Sequence, residues 1–550
     1  MLHETLLYLF AIALFSFVKI QEKYVPVFSF ILTLFVALVF ACFAMDWRFL
    51  ADSPTTIGID FSVGGNIKLD IISSKQNYLL ILPFFINTLL ALGNNLIFKY
   101  ETDKQHMLSL FTLNLIAFIM LICGNNFIQF MTFVFVIDIF SQLLIADTNA
   151  TKRYSIYNLV ADMGIFLVLS MLHGKLVNLD VGNISHYYET GRHRDFIMAV
   201  LMLSLFVKFG LFLFQGYWLD LKSAKFHTLY FLTYLSTPMA ALILFIKFYP
   251  VLVVSPSFEP LLNWIVVLSM LWGTAGAILN PQIKEKFVYC NMLCVAFLVK
   301  LTELESFIWN ATFSNILICL FLFNLCFYYL HFEIDREHSK NKTPIVFVLT
   351  AFLFVFLSLC LCLASLYTSQ NALWIFSFGV LFIMVVSHLF ASYAPKLRIQ
   401  STPHSSGLRT VCIMFVAILL SLYIGFYYVP YLYTCCFVLG LFLSLYFFNP
   451  FKFTDSVRYI YAKIHHVDLF ALFYEKCILL PIKHAGIFAN IFIDFIFLEH
   501  TLLPLISVLN GMVVKTYRHI SRIGFLYYLL CSVFGICIIC YFLYKASFNG

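Results

Sequence analysis

The sequence predicts an all-α, polytopic membrane fold of about sixteen transmembrane helices, and three observations predict it. The 550 residues are 62% hydrophobic and only 11% charged, where soluble domains carry about 25% charged residues. Apolar runs of roughly 17 to 25 residues recur from end to end, the length that crosses about 30 Å of hydrocarbon at about 1.5 Å per residue. Basic residues gather on alternate connections, as the positive-inside rule requires of a chain threaded back and forth through a bilayer. A transmembrane β-barrel is excluded, because its strands would alternate apolar and polar over about ten residues, whereas the stretch 127–145 is apolar on every face.

The first apolar run, 6–18, lacks a basic leading region and a small-residue cleavage site, so it reads as a retained helix. The predicted spans are 4–19, 26–45, 77–98, 106–123, 127–146, 155–173, 195–214, 232–254, 262–280, 286–302, 308–331, 344–367, 372–393, 410–428, 430–448 and 523–545. With the N-terminus outside, the inside connections carry Lys19 and Lys23, Lys99 and Lys104, Lys152 and Arg153, Lys222 and Lys225, Lys284 and Lys286, then Arg336, Lys340 and Lys342, and finally Lys396, Arg398 and Arg409. The outside connections at 124–126, 302–306, 368–371 and 428–430 are short and free of basic residues. Two outside loops are longer. The loop 46–76 has β-branched and Gly-containing stretches that suit a small hairpin, and 173–195 is polar and mixed in charge. In 449–522 apolar runs alternate with Lys463, Asp468, Glu475, Lys483, Asp494, Glu499 and Lys515. That pattern predicts helices lying along the inner face, followed by a C-terminal anchor at 523–550.

An ionisable side chain inside hydrocarbon costs several kcal/mol, so each one well within a span is a functional candidate. Asp138, Lys208 and Lys247 lie inside their spans, with Asp162 and Lys300 nearer the ends of theirs. An acid beside a lysine on a neighbouring helix can hold and release protons. The competing reading has Lys208 and Lys247 snorkelling to the interface or locking a helix pair. Histidines His331, His388, His465, His466 and His484 lack the matched spacing of a haem site. Most of the fifteen cysteines lie within spans, among them Cys360, Cys362, Cys435, Cys436, Cys537 and Cys540, as small apolar residues without metal-ligand spacing. No phosphate-cradling glycine pattern is present. The expectation is therefore no metal, no cofactor bound by this chain, no nucleic acid, and no redox or catalytic site of its own.

Several motifs, in order, resemble the antiporter-like membrane subunit L of respiratory complex I (chain 5 in mitochondria), a family related to Mrp-type cation/proton antiporters. Leu69-Asp70 precedes the third span, and Asn158-Leu-Val-Ala-Asp162-Met-Gly164 looks like the family's Asn-Arg-x-Gly-Asp without its Arg and Gly. Lys208 followed by Gln215, Tyr217 and Trp218 is similar to the family's broken seventh helix with a central lysine, and Ser236-Thr237-Pro238 through Leu242-Ile243 is similar to its Pro-Thr-Pro-Val-Ser-Ala-Leu-Ile. Ile283-Lys284 with Tyr289 stands where the family has Asp-Ile-Lys and, beyond it, Ala-Tyr-Ser. Asp468, Tyr474, Pro481 and Ser521-Arg-Ile-Gly524 resemble its C-terminal lateral helix and re-entry into the membrane. The departures are specific. The family's fifth-span glutamate aligns with Phe135, with Asp138 one turn on and on a similar face; its eighth-span histidine aligns with Leu244, with Lys247 one turn on. Matching His331 to the family's eleventh-span histidine leaves Asn315 and Cys319 where a His and a Lys are expected, and the twelfth-helix Gly-Phe-Phe-Ser-Lys has no counterpart.

The resemblance implies two inverted repeats with discontinuous helices, 106–254 and a degenerate 262–448, behind N-terminal helices at 1–105 and ahead of the lateral region 449–522. It also implies proton translocation coupled to quinone reduction by NADH elsewhere in a complex, with partners among the other membrane subunits of complex I or of an Mrp-like complex. Candidate proton-relay residues are Asp138, Lys208, Lys247 and Lys300, with Asp162 and Lys284 in support. The rival functions are a non-pumping structural or assembly paralogue, an Mrp-type cation/proton antiporter subunit, and a lipid or glycan enzyme using outside acids such as Asp52 or Asp60. The expected location is a bacterial inner membrane, N-terminus outside, ahead of a mitochondrial inner membrane.

Overall fold

A computed structural model of the protein describes residues 2–16, 25–46, 55–61, 67–97, 104–145, 148–173, 192–221, 229, 231–232, 236–253, 255–280, 282–303 and 311–335, with 374, 377–379, 381–382, 385–386, 476 and 480–489 beyond them. Among these the helices are α1 (Leu2–Ser16), α2 (Val25–Asp46), α3 (Lys75–Ile97), α4 (Lys104–Cys123), α5 (Phe127–Leu143), α6 (Thr148–His173), α7 (Arg192–Phe209), α8 (Gly216–Asp220), α9 (Thr237–Leu252), α10 (Phe258–Leu279), α11 (Ile283–Thr302), α12 (Ala311–Asp335) and α13 (Leu480–Ala489). The first eleven predicted spans each coincide with one of them. The spans at 344–367, 410–428, 430–448 and 523–545, and most of 372–393 and of 449–522, lie outside the described residues. Among the described residues the regular structure is helical apart from an antiparallel hairpin of β1 (Thr55–Phe61) and β2 (Ile67–Ser73) in the long loop before α3, registered Thr55 to Ser73 and Phe61 to Ile67.

In a hydrocarbon environment every backbone polar group must find a partner inside the protein, which leaves helices as the form available to these apolar runs. Val27–Ala44, Ala150–Leu172 and Phe258–Leu279 are long and apolar enough to cross a bilayer, and six shorter apolar helices accompany them among the described residues. The outward faces of α1 and α2 are strongly apolar, with Leu7, Phe10, Phe30 and Phe35 all about half exposed or more. That surface is compatible with lipid contact and costly in water. Inside, α4 packs on α1, α3 and α5; α6 packs on α7; α9 packs on α7 and α5; and α12 reaches back to α3. The longest pairing is α10 with α11. Two small residues permit it, since a Cβ on Gly276 would meet the Tyr289 ring at 2.4 Å and one on Gly273 the Tyr289 carbonyl oxygen at 2.9 Å.

The chain divides into two compact units, Met1–Asp468 and Leu469–Gly550; α13 belongs to the second and all the other elements to the first. Two of the predicted boundaries that moved bear on function. The seventh span, expected to run 195–214, ends at Phe209. The eighth, expected from 232, begins at Thr237, where Pro238 fits the first turn because it has no N–H to leave unpaired and Ser236 caps it by accepting from the Thr237 amide at 2.5 Å.

Candidate buried ion cluster

The end of α7 is set by Gly210, whose φ of +60° is a conformation that favours glycine, and whose missing Cβ leaves room for the Trp218 indole; a Cβ there would sit 2.5 Å from it. The chain unwinds through Leu213, also at positive φ (+79°), before re-forming a helix as α8. Unwinding frees carbonyls at the end of α7, a serious cost in a bilayer. Tyr217, at the start of α8, folds back and shares its one hydroxyl hydrogen between the carbonyls of Val207 and Lys208, each at 3.1 Å. Across the gap, Ser269 of α10 accepts from the Phe212 amide at 3.0 Å.

Lys208 therefore sits in the last turn of a half-helix, where the aligned peptide dipoles favour positive charge. Its side chain is 0% exposed. Its Nζ donates to Asp138 Oδ2 on α5 at 2.5 Å and lies 2.7 Å from Asp162 Oδ1 on α6. Asp138 and Asp162 are 1% and 8% exposed. Three sequence-predicted residues thus meet in one buried cluster with two formal negative charges against one positive. Burying an ion pair is tolerable only when hydrogen bonds satisfy the remaining atoms. Asp138 Oδ1 has that support, accepting from the Thr237 hydroxyl at 2.9 Å. Thr237 Oγ1 is in turn hydrogen-bonded to the Tyr154 hydroxyl of α6.

The contact between α6 and α7 that brings Asp162 to Lys208 has its own small residue. Gly164 faces Ser204, one turn before Lys208, so closely that a Cβ at 164 would fall 2.0 Å from the Ser204 hydroxyl oxygen. At the opposite side of the break, Arg153 of α6 pairs with Asp220 of α8 at 2.8 Å in an exposed position.

The other candidates lie apart from this cluster. Lys247 on α9 donates to the Gly124 carbonyl at 3.4 Å and stands over the Phe130 ring at 5.7 Å. Lys300, at the end of α11, donates to Asn263 at 2.7 Å, pairs with Glu303 and lies 4.8 Å from the Trp374 ring centre. Lys284 is in the first turn of α11, beside buried Glu285 and Lys286. One expectation is corrected: Phe135, aligned with the family's glutamate, is 48% exposed and does not share the face of Asp138. A three-residue step on a helix falls about 60° short of a full turn, enough to point Phe135 away from the pocket. Tyr154, Thr237 and Tyr217 were not singled out from the sequence as functional. A signal for Tyr154 existed, because Tyr154, Asn158 and Asp162 recur at i, i+4 and i+8 and so form one polar stripe on α6. Among the described residues no group of His, Cys, Asp and Glu is arranged to hold a metal ion.

Residues 125–394 match the family described as NADH:quinone oxidoreductase/Mrp antiporter, TM. The chain is similar to NADH-ubiquinone oxidoreductase chain 5 of Paramecium tetraurelia, at 22% identity over 229 residues, which are 38% of this chain and 40% of that protein. In structure it is similar to a chain of the Mrp complex from a Dietzia species, with TM-score 0.69 and 12% identity over 94% of this chain and 63% of that one. It is also similar to a chain of respiratory complex I from Thermus thermophilus, with TM-score 0.56 and 15% identity over 77% of this chain and 97% of that one. The matches to the Paramecium and Dietzia proteins thus span less than two thirds of those proteins' lengths.

Proposed function

We propose, for a chain whose residues 125–394 match the family described as NADH:quinone oxidoreductase/Mrp antiporter, TM, that it is a divergent subunit L-like component of a complex I-type enzyme and moves protons across an energy-transducing inner membrane. The observation that carries this reading is Lys208 held at a helix break between Asp138 and Asp162. Two carboxylates facing one ammonium can bind one further proton and become neutral, which gives the pocket a loaded and an unloaded state. Asp138 sets the charge state of Lys208, Asp162 holds the ammonium from α6, and Lys208 passes the proton toward the middle of the membrane. Lys247 and Lys300 are assigned as later stations, with Lys284 supporting. NADH oxidation and quinone reduction belong to other subunits.

The architecture that goes with this function is sixteen spans in two inverted repeats, 106–254 and 262–448, the second degenerate, with a lateral region at 449–522 and an anchor at 523–550. The unwound segment after Lys208 supports it, because irregular backbone at membrane depth occurs where it lines a site. Its partners are the other membrane subunits of such a complex. In the native membrane, Lys208→Ala should lower proton translocation by about tenfold or more at unchanged protein level. Unchanged pumping at normal abundance would reject the role.

A second reading is favoured by a specific observation. Asn315, partly buried, and Cys319, buried, occupy α12 positions where the family motif calls for a histidine and a lysine. A non-pumping paralogue that keeps the scaffold would tolerate those losses. It would co-migrate with its complex on native gels while Lys208→Ala left pumping intact.

A further inference from the structure

The ion cluster holds a proton, and a proton must reach it through a pocket whose members are almost wholly buried. Two hydroxyl branches touch the Asp138 side of the pocket. In one, the Ser141 and Ser236 hydroxyls are hydrogen-bonded to each other. In the other, Tyr154 and Thr237 are. Counting protons separates them, because each hydroxyl has a single hydrogen to donate.

Ser141 donates its hydrogen to the Ile137 carbonyl at 2.7 Å, so Ser236 must be the donor in the serine pair. The Ser236 and Thr237 hydroxyls also lie 3.4 Å apart, but with the Ser236 hydrogen on Ser141 and the Thr237 hydrogen on Asp138 neither is left to join them, so the serine branch ends on a backbone carbonyl, which cannot carry a proton onward. Thr237 donates its hydrogen to Asp138 Oδ1 at 2.9 Å, so Tyr154 must be the donor in the other pair. The second branch therefore runs in one direction, from the Tyr154 hydroxyl to Thr237 to the Asp138 carboxylate. Tyr154 lies six residues into α6, next to Arg153 and about 9 Å from the helix start. It is the member of the stripe nearest the Lys152–Arg153 end of that helix. Its neighbour one turn on, Asn158, is 1% exposed and donates to the Tyr154 carbonyl at 3.0 Å, while its own Oδ1 has no partner among the described residues. A buried acceptor without a donor beside the head of a hydroxyl chain is where an arriving water would be held.

We propose that Tyr154 and Thr237 form the proton-uptake wire of this chain, loading Asp138 from the Lys152–Arg153 end of α6. This rests on the proton-carrying role of the cluster. In the transfer, Asp138 Oδ1 gains the Thr237 hydrogen, Thr237 Oγ gains the Tyr154 hydrogen, and the Tyr154 oxygen takes one from a hydronium ion on its far side, leaving water. One O–H bond forms at Asp138, one breaks in hydronium, and both hydroxyls end as they began; rotation of the two hydroxyls resets the chain. No oxidant or reductant takes part.

The test compares variants in native membranes, following proton translocation with a pH-sensitive dye in H₂O and in D₂O and chain abundance by native gel. Tyr154→Phe keeps the ring and removes only the hydroxyl; Thr237→Val keeps the volume. Each should lower translocation by about tenfold or more, the double variant should be no slower than the slower single one, and the D₂O slowing should exceed that of the unaltered chain because proton uptake has become the slow step. Ser141→Ala, on the branch that ends at a carbonyl, should leave translocation unchanged. Wild-type flux in Tyr154→Phe, where Lys208→Ala abolishes it, would overturn the wire and leave the cluster's role standing. Wild-type flux in Lys208→Ala as well would overturn both. A slower flux with an unaltered isotope ratio would assign Tyr154 to packing and also overturn the wire.

Discussion

Gly164 offers a sharp test of how tightly α6 and α7 must approach for Asp162 to reach Lys208. In Gly164→Ala the new methyl would lie 2.0 Å from the Ser204 Oγ and 3.3 Å from its Cβ, more than about 1 Å too close at the oxygen. The strain has two ways out. Ser204 can rotate its hydroxyl away, giving up its 2.8 Å bond to the Val200 carbonyl, at a cost of about 1 kcal/mol. Alternatively the helices separate by about 1 Å, which draws Asp162 away from its 2.7 Å contact with Lys208; breaking a buried ion pair costs about 3–5 kcal/mol. Rotation wins. Gly164→Ala should therefore lose about 1–2 kcal/mol of stability with proton translocation within about threefold of normal. Adding Ser204→Ala should return most of that loss, with a coupling of about 1 kcal/mol in the double-mutant cycle. Gly164→Val, whose branched side chain still meets the Ser204 Cβ after any rotation, should force the helices apart, cost about 3 kcal/mol or more and lower translocation about tenfold. Thermal unfolding in detergent and dye-monitored translocation read the two effects. Loss of flux in Gly164→Ala at full abundance, or no recovery with Ser204→Ala, would refute the packing argument.

Two further changes address the break after Lys208. Gly210→Ala combines a left-handed backbone with a 2.5 Å approach to Trp218, and should destabilise by about 2–4 kcal/mol in detergent melts; a neutral result would mean the turn is not held as described. Leu213→Gly relieves positive φ at a non-glycine residue, a gain of about 1–2 kcal/mol set against about 0.5–1 kcal/mol of added chain entropy in the unfolded state. Its melting point should hold or rise, and a loss of more than about 1 kcal/mol would show that the leucine side chain contributes more by packing than its backbone costs.

The position of the break and the identity of its lysine were legible in different degrees. Lys208 could be read from the sequence because a lysine in an apolar run costs too much to be idle. The end of α7 could not be read to the residue, because the apolar pattern runs on past Gly210, and Gly210 stops the helix through a left-handed backbone packed against the Trp218 ring, a long-range contact. Asp138 was legible for the same reason as Lys208. That Phe135 faces outward was not, since its orientation is fixed by how α5 is rotated against its neighbours.

What the sequence determined alone is the solvent in which the chain folds and the number of charges it takes there. Hydropathy and run length are local properties, summed along the chain, and they fixed helices of bilayer length with a few ionisable side chains inside them. The tertiary structure alone decided which of those charges meet. Asp162 joins Lys208 only because Gly164 lets two helices close on Ser204, and Tyr154 joins Asp138 only because Pro238 and Ser236 start α9 at Thr237. Hydrogen bonds and ion pairs between helices depend on distances of a few tenths of an ångström across segments roughly 45 to 100 residues apart, and no pattern along one segment contains that information.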